Sequence, residues 1–311
     1  MGAILEVVAP VFALMALGFG AARMGWFDER ATRGLVRFVF NFAIPALLFR
    51  SLVTIEFPDD IEWGFLLSFY VGSFAVYGLG MAVARFMFGR SLDAQAIFGM
   101  SAGFSNTVMV GIPVLLSGFG PQASLPIFLL IGLQSPVLMP LTVVLIQGQG
   151  SEAVSVAQRL KAASWDLLRN PIFVSVLAGS AANLAGLALP LPLDSTVGLL
   201  GTAAVPCALF ALGASLAAFP LHGDLRPGLL LVAIKLVLHP LAVWLLAVPV
   251  LGLDGIWVPV AVGMAAMPSG VNAYLFAAHY EAAEGVASRA VFISTAVSPV
   301  TISVVLYLLR T

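Results

Sequence analysis

Two stretches decide how this chain is read: Gly103-Phe104-Ser105-Asn106-Thr107-Val108-Met109-Val110-Gly111-Ile112-Pro113 and Met264-Ala265-Ala266-Met267-Pro268-Ser269-Gly270-Val271-Asn272-Ala273. Each sets an asparagine inside a long apolar run, with helix breakers beside it. Pro113 removes an amide and clashes one turn back, toward Met109, and Pro268 does the same toward Met264. Gly111 and Gly270 let the backbone leave helical geometry. In a bilayer, broken backbone survives only where protein buries it or water reaches it. Two such breaks in corresponding halves of a chain point to the binding site of a carrier.

The surrounding composition fixes the solvent. The chain has 311 residues, 61% hydrophobic and 9% charged, with mean hydropathy +1.06. A soluble domain carries about 25% charged residues, so most of this chain belongs in lipid. Its single cysteine, Cys207, excludes an intrachain disulfide and a four-cysteine zinc site. The first apolar run, Ile4 to Ala22, has no basic residue ahead of it and reads as a retained membrane helix rather than a cleaved signal.

A membrane span needs about 20 apolar residues. Ten segments qualify: 3–23, 33–54, 63–88, 93–117, 122–146, 171–190, 195–219, 227–250, 255–279 and 285–309. The expected fold is an all-α integral membrane protein. Residues 1–146 and 171–311 form its two five-span halves, and the polar stretch 147–170, with Glu152, Arg159, Lys161, Asp166 and Arg169, separates them. Arginine and lysine crowd one set of loops: Arg23, Arg30, Arg33 and Arg37; Arg85 and Arg90; Arg159, Lys161 and Arg169; Arg226; Arg289. The other side has Arg50, Arg310 and an acidic loop of Glu56, Asp59, Asp60 and Glu62. The basic loops mark the cytoplasm, which places both termini outside a plasma membrane, the inner membrane in a bacterium.

The halves echo each other. Pro45-Ala46-Leu47-Leu48-Phe49 matches Pro206-Cys207-Ala208-Leu209-Phe210, and Leu92-Asp93 matches Leu253-Asp254, both at an offset of 161. Gly99-Met100 matches Gly263-Met264 at 164, and Ser135-Pro136-Val137 matches Ser298-Pro299-Val300 at 163. With five spans per copy, the second copy must be inverted, the arrangement of secondary transporters. The interrupted fourth and ninth spans would then cross near the midplane.

At such a crossing the N-termini of the half-helices aim positive dipole ends into a shared cavity. Ser105, Asn106, Thr107, Ser269 and Asn272 would add neutral hydrogen bonds, a site suited to a carboxylate. The plainer reading is of proline kinks with asparagines gluing helices. No acidic residue falls at the centre of a span, since Glu6, Asp93, Asp194 and Asp254 lie near ends, so cation antiport through an embedded carboxylate is not expected. Lys235 is the central basic residue, about 13 Å along the eighth span at a rise of 1.5 Å per residue, with His239 one turn on. Lys235 reads either as a counter-charge for an anionic substrate or as a snorkelling anchor. His239 reads as a proton-linked switch or as a partner for a neighbouring carbonyl. Asn41 and Pro45 on the second span, and Gln134-Ser135-Pro136 interrupting the fifth, are further cavity candidates, while Asn183 reads as structural. Gly18-Phe19-Gly20 and Gly78-Leu79-Gly80 read as close packing. No phosphate loop, metal-ligand cluster or nucleophile elbow is visible, and nothing points to nucleic acid or a cofactor.

The ten-span layout, Asn41-x-x-x-Pro45, Asn106-Thr107-x-x-x-Gly111-x-Pro113 and Pro268-x-x-x-Asn272 resemble the auxin efflux carrier family over the whole chain. The resemblance implies a fold like the bile-acid symporters and NhaA-type antiporters. The first, second, sixth and seventh spans would form a scaffold that dimerises. The third to fifth and eighth to tenth would form a transport domain moving against it, elevator fashion. Asn106, Pro113, Pro268 and Asn272 become crossover residues by the same resemblance, and the Asn41–Pro45 region faces substrate from the scaffold. The chain departs from the plant PIN members in its short central loop and in its third span. That span carries Ser68, Tyr70, Ser73 and Tyr77 where the plant proteins carry charged support residues. The expected function is alternating-access transport of a small organic anion, a dicarboxylate or an auxin-like acid, coupled to H+ or Na+. The rivals are a membrane receptor and an integral-membrane enzyme, the latter limited to His222, His239 and His279 for histidine chemistry.

Overall fold

The computed structural model describes residues 2–55, 60–147, 169–220 and 223–309. Most of the 147–170 loop lies outside the described residues, including Glu152, Arg159, Lys161 and Asp166; so do Glu56, Asp59, His222 and Arg310. Among the described residues the secondary structure is helical, with one isolated backbone bridge between Ser105 and Ser269. Among the described residues, seven helices are long and apolar enough to cross a membrane.

The first half runs α1 (Gly2–Arg23), α2 (Glu29–Thr54), α3 (Gly64–Phe88), α4 (Leu92–Gly103), α5 (Thr107–Phe119) and α6 (Ser124–Gln147). The second runs α7 (Pro171–Leu184), α8 (Leu191–Leu216), α9 (Arg226–Val250), α10 (Trp257–Ala266), α11 (Val271–His279) and α12 (Glu284–Leu309). The starts follow local chemistry. Asp28 caps α2 by accepting from Ala31 N at 2.7 Å. Asn170 caps α7 through Ile172 N at 2.9 Å, with Pro171 at the first helical position.

Prolines act differently from the sequence expectation. Pro136 and Pro140 lie inside an unbroken α6, so Gln134-Ser135-Pro136 does not interrupt that helix. Pro45, Pro113 and Pro240 each follow a one-turn π-helical widening, at Val39–Ala43, Thr107–Gly111 and Ile234–Leu238. In each case the residue before the proline bonds five residues back instead of four: Ile44 N to Val39 O, Ile112 N to Thr107 O, and His239 N to Ile234 O. The wider turn makes room for a ring that cannot donate and would clash at the ordinary spacing. Pro113 is therefore absorbed by a π-turn and does not itself break the helix, and Gly111 is helical at φ −63° and ψ −49°.

Packing is close where side chains vanish. A Cβ on Gly213 of α8 would sit 1.9 Å from Met15 O of α1, and one on Gly18 would sit 2.1 Å from Phe210 O. Of the two glycine pairs flagged in the sequence, Gly18 and Gly80 pack this way, whereas Gly20 and Gly78 face open space. Helix α2 is held to its neighbours from both sides. Asn183 Nδ2 of α7 reaches Leu52 O, Val53 O and Ile55 O at 2.8–2.9 Å, meeting carbonyls that the end of α2 leaves unpaired. Arg50 of α2 pairs with Asp194 of α8 through Nε at 2.7 Å and a terminal nitrogen at 3.0 Å.

Candidate functional site

The two interrupted helices meet at their breaks. Between α4 and α5 the chain unwinds at Phe104–Asn106, and between α10 and α11 at Met267–Gly270. The unwound strands run antiparallel: Asn106 N donates to Pro268 O at 2.8 Å, and Gly270 N to Phe104 O at 2.8 Å. Other freed groups are met by side chains from around the crossing. Ser101 O, whose i+4 partner would be Ser105 N, accepts from Ser269 Oγ at 2.6 Å. Ser269 N donates to Ser294 Oγ at 3.0 Å, and Gln134 Nε2 donates to Ser105 O at 2.7 Å. Broken backbone at membrane depth is tolerated only with such replacements. Asn106 Oδ1 caps the new helix start by accepting from Met109 N at 3.3 Å.

Lys235 and His239 lie beside the crossing, both fully buried. Lys235 Nζ reaches Ser105 Oγ at 2.8 Å, Ala265 O at 2.7 Å and His239 Nδ1 at 2.9 Å. The far ring nitrogen, Nε2, is 3.0 Å from Ser73 Oγ. Since the single hydroxyl hydrogen of Ser73 goes to Phe69 O at 2.8 Å, Nε2 must donate and Nδ1 must accept. Full burial removes the snorkelling reading of Lys235, because its head group ends in protein rather than at an interface.

A cavity of about 660 Å³ opens from the crossing toward the arginine-bearing starts of α2 and α7. Of the predicted site residues, Asn41, Ser105, Asn106, Thr107, Gly270 and Asn272 line it. Pro45, Gly111, Pro113, Gln134, Lys235, His239, Pro268 and Ser269 do not. Pro268 and Ser269 shape the crossing from behind, Gln134 holds its backbone, and Gly111 admits Met264, whose sulfur would be 2.6 Å from an added Cβ. The starts of α5 and α11 both face the cavity, through Thr107–Met109 and Val271–Asn272. Two buried side-chain atoms at the crossing have no hydrogen-bond partner among the described residues, Asn106 Nδ2 and Gln134 Oε1. The first belongs to a residue that also lines the cavity.

The lining also holds Arg33, Arg37 and Arg169, with no carboxylate among its described residues. These arginines counted only as topology markers in the sequence. The signal for two of them is nevertheless there, because Arg33, Arg37 and Asn41 repeat every four residues and so share one face of α2. No group of histidine, cysteine and acidic side chains suited to a metal occurs among the described residues.

Against known proteins, the profile of the family described as membrane transport protein matches residues 3–306. The chain belongs to that family. A protein of Rhizobium meliloti (strain 1021) named "Putative malonate transporter" is 28% identical over 310 residues, covering 100% of this chain and 97% of that protein. Auxin efflux carrier component 3 of Arabidopsis thaliana is 28% identical over 158 residues, 50% of this chain and 24% of the plant protein. The lysosomal cholesterol signaling protein of Mus musculus is 26% identical over 213 residues, 65% of this chain and 24% of the mouse protein. The resemblance to the auxin efflux carriers is thus borne out. Family and helices together make the chain a multi-pass membrane transport protein and not an enzyme.

Proposed function

We propose that this membrane transport protein is a secondary carrier of small organic anions that binds a carboxylate at the crossing and exchanges it across the membrane by alternating access. One observation carries the reading. Asn106 lines a cavity whose described lining holds arginines and no carboxylate, and its buried amide nitrogen has no partner among the described residues. A buried donor without a partner costs about 1–3 kcal/mol, and a carboxylate oxygen would relieve that cost. The facing starts of α5 and α11 add backbone donors and dipole charge of the same sign. The relative named for malonate supports a dicarboxylate. In that case Asn106 and Asn272 take one carboxylate and Arg37 the other.

In this reading the two halves are inverted repeats. The offset matches support it, as does the pairing of the two breaks around one short antiparallel bridge. Helices α1, α2, α7 and α8 form the scaffold, consistent with the Gly18, Gly213 and Asn183 contacts that bind them together, and the scaffold is the dimer face. The rest moves as the transport domain, driven by an H+ or Na+ gradient. The arginine rule puts both termini outside the inner membrane and turns the cavity of this conformation toward the cytoplasm.

Uptake of labelled malonate and other carboxylates into proteoliposomes, with imposed ion gradients, tests the proposal. Protein-dependent uptake that unlabelled dicarboxylates compete is the expected result. The mouse signaling relative favours a second reading, a membrane sensor using the same cavity. Saturable carboxylate binding with no uptake under any gradient would overturn the carrier reading in favour of the sensor.

A further inference from the structure

Every contact of Lys235 is to a neutral acceptor, and each comes from a different part of the crossing. Ser105 belongs to the first break, Ala265 to the last turn of α10, and His239 to the turn after Lys235 itself. Ala265 O is a carbonyl orphaned by the second break. Its helical partner would be Ser269 N, which donates to Ser294 Oγ instead. A hydroxyl oxygen, a carbonyl at the negative end of a helix and an imidazole lone pair make a three-sided nest for a small cation. The three hydrogens of an ammonium fill it. No acidic side chain takes part in these contacts, so the charge has no counter-ion in its own nest, a costly arrangement when buried. Ser105 meets the ammonium through its hydroxyl while also lining the cavity, so the charge stands directly behind the wall that faces the substrate.

We infer that the Lys235 ammonium is a resident cation of the crossing, occupying through Ser105, Ala265 and His239 the place where a loose monovalent cation would otherwise bind, so that anion binding requires no sodium. An anion in the cavity then supplies the counter-charge that the nest lacks. The inference deepens the carrier reading and rests on it for the choice of anion. Its cation arm does not depend on that choice.

The test uses full-length protein in detergent, with malonate as the anion probe and the unfolding midpoint as a second readout. Wild type should bind malonate equally in sodium chloride and in choline chloride. Lys235→Ala should lose about ten-fold or more in malonate affinity, in line with the loss of a charge-assisted interaction. Methylammonium, small enough for the vacated space, should restore part of that affinity and raise the midpoint of Lys235→Ala, whereas tetramethylammonium should do neither. Lys235→Arg separates a need for charge from a need for shape, and should retain more affinity than Lys235→Gln. A wild-type protein that binds malonate only with sodium overturns the inference, and so does a Lys235→Ala protein that binds as wild type. If Lys235→Ala does not fold, the sodium comparison on wild type still decides. If wild type binds no carboxylate at all, the anion reading falls, and the methylammonium effect on the midpoint still tests the cation nest.

Discussion

Asn106 does two jobs with its two amide atoms. The oxygen caps α5 through Met109 N, and the buried nitrogen, in a residue that lines the cavity, has no partner among the described residues. The jobs separate by mutation. Asn106→Asp keeps the capping oxygen but replaces the donor with a negative charge, so the fold should persist while carboxylate binding is lost. Removing a hydrogen bond to a charged ligand costs about 1.5–3 kcal/mol, roughly ten- to a hundred-fold in affinity, and the added repulsion deepens the loss. Arg37→Gln should act selectively, weakening dicarboxylates more than monocarboxylates, since Arg37 lies one turn from Asn41 on the cavity wall. Titrating both variants with malonate and acetate checks this. Equal losses for the two acids in Arg37→Gln would remove Arg37 from the site. At this scale the asparagines were legible in the sequence, because an amide in an apolar run needs a reason. The partners were not, since Ser101 finds Ser269 and Ser105 finds Lys235 across separations of 168 and 130 residues.

At the scale of elements, local rules set the helices and close contact sets their arrangement. Seven of the ten predicted spans match long apolar helices to within a few residues, because apolar length is written directly in the sequence, whereas 171–190 is a shorter helix ending at Leu184 and 93–117 and 255–279 are each two short helices. The breaks fall earlier than the prolines implied in the first half. The helix unwinds at Phe104–Asn106, where Gln134 and the opposite strand receive the freed backbone, and Pro113 is taken up by the π-turn beyond. Such compensation comes from distant residues, so local sequence cannot place it. The contact between α1 and α8 gives a sharp test. Gly213→Ala puts a methyl against Met15 O and should destabilise by about 1–3 kcal/mol or more, the usual cost of overpacking. Gly20→Ala, facing open space on α1, is the matched control and should leave the unfolding midpoint in detergent unchanged. A Gly213→Ala protein as stable as the control would mean that the two helices do not touch there.

Over the whole molecule, charge and shape converge on one cavity. It begins at the paired breaks, passes Asn41 and Asn272, and ends among Arg33, Arg37 and Arg169. A dry, apolar bundle has no use for a basic funnel of this kind, whereas a carrier gains a field that gathers anions at its mouth. Cys207 is the chain's single cysteine, so a Cys207→Ser background makes the cavity addressable. The most direct test is the rate at which a membrane-impermeant thiol reagent modifies Val271→Cys, on the cavity wall at the start of α11, in membranes of known sidedness. Modification from the cytoplasmic side is expected, slowed by malonate in a saturable way. Modification unaffected by any carboxylate, in a protein that still takes malonate up, would place the anion site somewhere other than the crossing.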